Sequence, residues 1–220
     1  MGQTCSRQDP VEPDFNPWNP DKDPRFYGMD TYKLLAGLQL RNFTTHDLVY
    51  CGNYLHRGQA IPALQPQSLD AVGKRFMAFH GSGCFKGSSA GLVAWELKGC
   101  GKYLIFLWEV PKVRLFGAAN TFCMGITVFR PRLDEGLFAR MRNGRPTFFH
   151  RSHGVYPNSI FTGSLVRHKF GLSVKMGTEK RICVELEIKP VRERIWRQPQ
   201  NQVLSGAYPC LLYTSPSPRD

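Results

Sequence analysis

Six arginines stand close together in the chain: Arg130, Arg132, Arg140, Arg142, Arg145 and Arg151. A guanidinium presents a planar fork of N–H donors that matches a phosphate or carboxylate bidentately. Such a cluster points to an anionic ligand, with a solvated basic surface as the plainer alternative. Other residue sets carry less. His150 and His153 are three apart in "HRSHG", and a strand turns such a pair to opposite faces, so they make a poor metal site. Asn42-Phe43-Thr44 is a glycosylation sequon, of consequence only in a secreted chain. The seven cysteines (Cys5, Cys51, Cys84, Cys100, Cys123, Cys183 and Cys210) include no C-x-x-C pair, which leaves free thiols as the expectation. No Ser/His/Asp set, phosphate loop or carboxylate pair stands out, so neither an enzyme nor a cofactor is expected.

The N-terminus carries a second kind of chemistry. Met1-Gly2-Gln3-Thr4-Cys5-Ser6 fits the myristoylation pattern M-G-x-x-x-S/T, with Gly2 as acceptor and Cys5 placed for a second acyl chain. One chain holds a membrane marginally and two signals hold it stably. An ordinary polar N-terminus is the alternative. The segment has no apolar h-region, which argues for a cytosolic start or an unrecognised export route. No apolar run approaches the roughly 18 to 20 residues that span a bilayer.

The net charge of +12 is unevenly placed. Residues 1–33 hold six acidic and four basic side chains and 210–220 one of each, so the whole excess lies in 34–209. Such a surplus favours anionic partners. Nucleic acid is not among those expected, because RNP, helix-turn-helix and zinc-finger patterns are missing.

The elements that must position these groups centre on "KYLIFLWEVPKVRLFGAANTFCMGITVF". Tyr103 to Trp108 and Phe122 to Phe129 are apolar runs of strand length, rich in aromatic and branched residues. Pro111 cannot donate to a ladder and ends the first of them. The intervening Lys112 to Asn120 is then a loop at the end of a sheet. Further strands are predicted at Leu38 to Phe43, Leu48 to Leu55, Gly73 to Phe79 and "GLVAWEL", with weaker ones at Phe148 to Tyr156, Ile160 to Thr162 and Gly171 to Met176. In Arg181 to Lys189, alternation predicts one core face and one mostly solvated face. A helix is predicted after Pro131, taken as an N1-like position, with Asp134 and Glu135 in its first turn and Asn143-Gly144 as its stop. Five prolines make 1–33 an extended tail rather than a helix, and 191–209 reads as a basic tail. The final "CLLYTSPSPRD", 210–220, is similar to what one frame of a sequencing-library adapter encodes and is set aside as a processing scar.

"GSSAGLVAWEL", "YLIFLWEVP", "NTFCMGITVF", "RLDEGLFARM" and "KRICVELEIKP" occur in the order and spacing of the actinoporin-like family, which the span Asn42 to Pro190 resembles, especially in its fish versions. The resemblance implies an all-β fold over 34–190, a compact β-sandwich with one or two short flanking helices. It also implies binding to phosphocholine lipids such as sphingomyelin, and a homo-oligomeric pore lined by a released N-terminal helix. The family's headgroup site is a nest of aromatic side chains around the Val-Pro loop. At its positions this chain has Glu109, Val110, Pro111, Phe116 or Gly117, Thr121, Phe138, Arg142 and Asn143. Val110, Pro111, Phe116 and Phe138 keep the family chemistry, while Arg140, Arg142 and Arg145 shift it towards anionic lipid. The reading is therefore a membrane-lipid-binding protein, cytoplasmic-face if acylated and secreted or on a target membrane by family. Its alternative is a non-lytic, acyl-anchored module, because the prolines of 1–33 deny it a pore helix.

Overall fold

Strand alternation and proline placement account for most of the architecture in the computed structural model, which describes residues 29, 31–81, 87–112, 118–145, 147–154 and 160–191. Gly2, Cys5, Phe116 and the segments 192–209 and 210–220 lie outside the described residues. In chain order the elements are β1 (Leu35–Asn42), β2 (Leu48–Arg57), β3 (Gln59–Ala60), β4 (Lys74–His80), β5 (Ser89–Leu97), β6 (Lys102–Val110), β7 (Asn120–Thr127), α1 (Glu135–Asn143), β8 (Phe149–Gly154), β9 (Ile160–Arg167), β10 (Phe170–Gly177) and β11 (Arg181–Pro190). They form an all-β sandwich. One sheet runs β3-β4-β1-β11-β10-β9 and the other β2-β5-β6-β7-β8. Neighbours are antiparallel apart from the central pair β1 and β11, which is parallel.

The core between the sheets holds Trp95, Phe106, Trp108 and Phe122 against Leu38, Leu40, Met77, Phe79, Val184 and Leu186. Trp108 stacks on Phe79 at 4.0 Å between ring centroids, and its indole N–H donates to Ser89 Oγ at 3.0 Å. A buried indole needs such a partner. The five-stranded sheet is buried on its other face too. There Leu92, Ala94, Ile105, Leu107 and Cys123 pack under Leu137, Phe138 and Met141 of α1. This explains why Tyr103 to Trp108 reads as an unbroken apolar run rather than an alternating one.

Two expectations need correction. The second face of β11 is not mostly solvated: Cys183 is fully buried against Leu35, Ile61 and Ala78, and Glu185 is 6% exposed and paired with Arg41 at 3.0 Å. A central strand has neighbours over both faces, which sequence alternation cannot report. The helix starts later than Pro131. Asp134 is its N-cap and accepts from the Leu137 N–H at 2.8 Å, so Pro131 lies in the approach. The sequon is not presented to solvent, because Asn42 and Thr44 are buried and hydrogen-bonded to each other. One strand is longer than expected. β9 runs on to Arg167 because His168 and Lys169 turn the chain with φ of 53° and 69°. Glycine or asparagine usually marks such a turn, so the sequence carries no signal there.

The register defines two ends. Val110, Asn120, Gly154 and Gly177 lie at the Pro111 end, and Lys102, Leu97, Leu48 and Phe170 lie at the Cys100 end. No helix among the described residues is long and apolar enough to cross a membrane.

Candidate functional site

The period of two in β6 decides what its last residues do. Val110 points between the sheets and is fully buried, while Glu109 points to the face that carries α1. Glu109 pairs across to Thr121 on β7, and Thr121 pairs to His153 on β8. Three neighbouring strands thus present one row of polar side chains. The C-terminal turn of α1 arrives over that row. Arg142 donates from Nε to Glu109 Oε2 at 2.6 Å and from Nη2 to Oε1 at 2.9 Å, a bidentate ion pair. Glu109, Pro111, Ala118, Ala119, Thr121, Arg142, Asn143 and His153 enclose a cleft of about 210 Å³.

Arg151 fixes the helix end that closes this cleft. Its Nη1 donates to the carbonyls of Met141, Arg142 and Gly144 at 3.4, 2.5 and 3.2 Å. These are the acceptors that a helix leaves unsatisfied, and a cation there also complements the dipole. His153 Nδ1 lies 2.8 Å from the Thr121 hydroxyl. Burial holds the His153 imidazole below its ordinary value, with Arg151 adding to the effect and Glu109 opposing it.

The expected site residues separate into groups. Pro111, Arg142 and the family-derived positions Glu109, Thr121 and Asn143 come together at the cleft. Arg140 and Arg145 are exposed nearby, and neither has an ion pair among the described residues. Val110 and Phe138 are buried, so neither can present its side chain to a ligand. Phe138 is 2% exposed and stacks on His56 at 4.5 Å between centroids. Arg142 is not a free guanidinium, since Glu109 occupies its fork. Arg130 and Arg132 precede α1 and lie at its other end, about 13 Å away at 1.5 Å rise per residue. Arg132 is also paired with Asp134 at 3.1 Å.

His153, Ala118 and Ala119 were not read as site residues. Strand alternation puts His153 on the face of Arg151, the signal that would have found it once β8 was registered against β7. His150 faces the core and packs against the Phe122 ring at 6.3 Å between centroids. Chemically, the cleft offers one hydroxyl, one amide, one imidazole and a guanidinium that an incoming anion must take from Glu109.

No family model and no curated protein matches this chain. Solved structures do. The chain is similar to the lipid binding protein Nakanori, with a TM-score of 0.55 at 10% identity over 78% of this chain and 79% of that one. It is also similar to the RahU protein, solved in complex with a TRIS molecule, with a TM-score of 0.41 at 11% identity over 74% of this chain and 98% of that one. The likeness to Nakanori is one of fold alone, the two-sheet sandwich described above.

Proposed function

We propose that this protein binds membrane lipid through its Pro111 end and that phosphate-bearing, anionic headgroups are the preferred ligands. The observation that carries this reading is the exposure of Arg140 and Arg145 beside the cleft, without ion partners among the described residues. Each basic residue close to an anionic leaflet contributes about 1 kcal/mol. The burial of Val110 and Phe138 supports the shift away from choline. A quaternary ammonium is held by open aromatic faces, and the described cleft lining contains none. The shared fold with a solved lipid binding protein supports lipid as the class of ligand.

A headgroup phosphate that enters the cleft meets Arg142 only by displacing Glu109, which makes Glu109 an internal competitor for the same fork. The acyl chains expected on Gly2 and Cys5 would supply the second anchoring signal. Family resemblance implies oligomerisation and a pore lined by an N-terminal helix, but the five prolines of 1–33 deny that segment such a helix, which favours the non-lytic alternative.

Flotation with vesicles of graded composition tests the proposal. Binding is expected to rise with phosphatidylserine and to weaken with salt. Binding that needs sphingomyelin and ignores phosphatidylserine overturns it. Release of a small fluorophore from the same vesicles separates a lytic protein from a non-lytic one.

A further inference from the structure

At the Cys100 end a thiol and an imidazole meet in a geometry that the lipid-binding reading does not use. Lys98-Gly99-Cys100-Gly101 turns the chain between β5 and β6, with Gly99 and Gly101 at φ of 77° and 61°. Other residues are strained at such angles. The space around the turn is open, because a Cβ built at either glycine meets nothing within 4 Å. Cys100 between them is half-buried, packed in part against the core.

Its Sγ lies 3.1 Å from Nε2 of His46. The other ring nitrogen, Nδ1, lies 3.2 Å from the Lys98 carbonyl oxygen. A carbonyl only accepts, so Nδ1 carries the ring proton and Nε2 turns a lone pair towards the thiol. The loop under the imidazole is held firmly. Asn42 Nδ2 donates to the His46 carbonyl at 2.8 Å, and the His46 N–H donates to Thr44 Oγ1 at 3.2 Å. Nucleophile, base and an acceptor that orients the base are the parts of an activated thiol. Lys102 is close as well, its Nζ 3.4 Å from the Cys100 carbonyl, while Lys98 of the same turn is paired with Asp47 at 3.3 Å.

None of the other described cysteines has these parts. Cys123 and Cys183 are fully buried, and burial pushes the Cys51 thiol up. Cys51 donates to the Val49 carbonyl at 3.5 Å rather than to a base.

We propose that Cys100 is an S-thiolation site that exchanges with anionic low-molecular-weight disulfides. His46 Nε2 takes the thiol proton, and the Cys100 sulfur attacks one sulfur of the disulfide. The old S–S bond breaks with its electron pair on the departing sulfur, which then receives the proton from His46. One S–S bond is lost and one is formed, with no external oxidant. Lys102 attracts the carboxylates of the incoming disulfide. The product carries a negatively charged appendage at the end of the sandwich remote from the cleft.

Oxidised glutathione added to the full chain at neutral pH, with each cysteine followed by peptide mass spectrometry, tests this. The mixed disulfide is expected at Cys100 about tenfold faster than at Cys51. His46→Gln, which keeps a polar side chain and removes the base, should bring Cys100 down to the Cys51 rate while Cys51 itself is unchanged. Lys102→Gln should lower the preference for oxidised glutathione over the neutral bis-hydroxyethyl disulfide. Equal rates at Cys100 and Cys51 in the native chain overturn the proposal even if the His46 variant does not fold. So does a Cys100 rate that His46→Gln leaves unchanged. The absence of any preference between the two disulfides overturns the choice of an anionic partner.

Discussion

Each end of the sandwich is organised by a buried asparagine, and the two are used differently. At the Pro111 end, Asn120 donates to the carbonyls of Gly177 and Glu179 at 2.9 and 2.8 Å, tying one sheet to the other where β7 begins. At the Cys100 end, Asn42 donates to the carbonyls of His46 and Asp70 at 2.8 and 3.0 Å and accepts from Thr44, holding the loop after β1 both to itself and to the Asp70 segment. The first fixes the spacing of sheets and leaves the side chains of the cleft to be placed by strand register and by the end of α1. The second fixes the backbone that carries His46, whose ring then meets the Lys98 carbonyl and Cys100. Charge follows the same division. Glu109 and Arg142 satisfy each other at the Pro111 end, so a ligand there must compete with an internal ion pair. The Cys100–His46 pair is oriented by a backbone carbonyl instead, with no carboxylate among the described residues on the imidazole nitrogens.

The largest effect that would sharpen this contrast is expected from Arg151→Ala. The three carbonyls at the end of α1 lose a charged donor, a change of about 3 kcal/mol in unfolding free energy by urea titration. If the ends are independent, thiolation of Cys100 in the folded variant keeps its native rate. Next comes a pair of exchanges that sets one end against the other. Arg140→Gln with Arg145→Gln should weaken flotation with phosphatidylserine vesicles by about 2 kcal/mol, or about thirtyfold. Arg130→Gln with Arg132→Gln, at the far end of the helix, should leave it unchanged. Equal losses in the two double variants would mean that no single end faces the membrane. The smallest effect is expected from Glu109→Gln. Freeing the fork of Arg142 should tighten the same binding by about 1 kcal/mol, roughly fivefold. Weaker binding in that variant would show that Glu109 supports Arg142 rather than competing for it.

Much of the frame was legible beforehand. Tyr103 to Trp108 lies in β6, Phe122 to Thr127 lies in β7 with Val128 and Phe129 left beyond its end, and Pro111 ends the first, because apolar runs and a missing N–H act locally. The site was legible only in part. Glu109, Pro111, Thr121, Arg142 and Asn143 could be named as candidates from the family resemblance, and they do meet. Arg130 and Arg132 could not be told apart from Arg140 and Arg145 by closeness in sequence, since a helix carries its two ends apart. The role of Val110 turned on a single step of the strand period, which decides between core and surface. His153 and the Cys100–His46 pair were missed for a common reason. Each depends on segments distant in the chain, brought together by cross-strand register and loop packing.

By itself the sequence determined an all-β sandwich with a basic body, the position of its central strands and the residue types available at the Val-Pro exit. Hydrophobic period, proline and charge are properties of neighbouring residues, so they survive without a fold. Tertiary structure alone decided that Glu109 occupies Arg142, that Phe138 is core, that the arginines divide between two ends, and that a thiol faces a base. Those outcomes depend on which faces of distant strands and helices are pressed together, and local chain chemistry does not specify them.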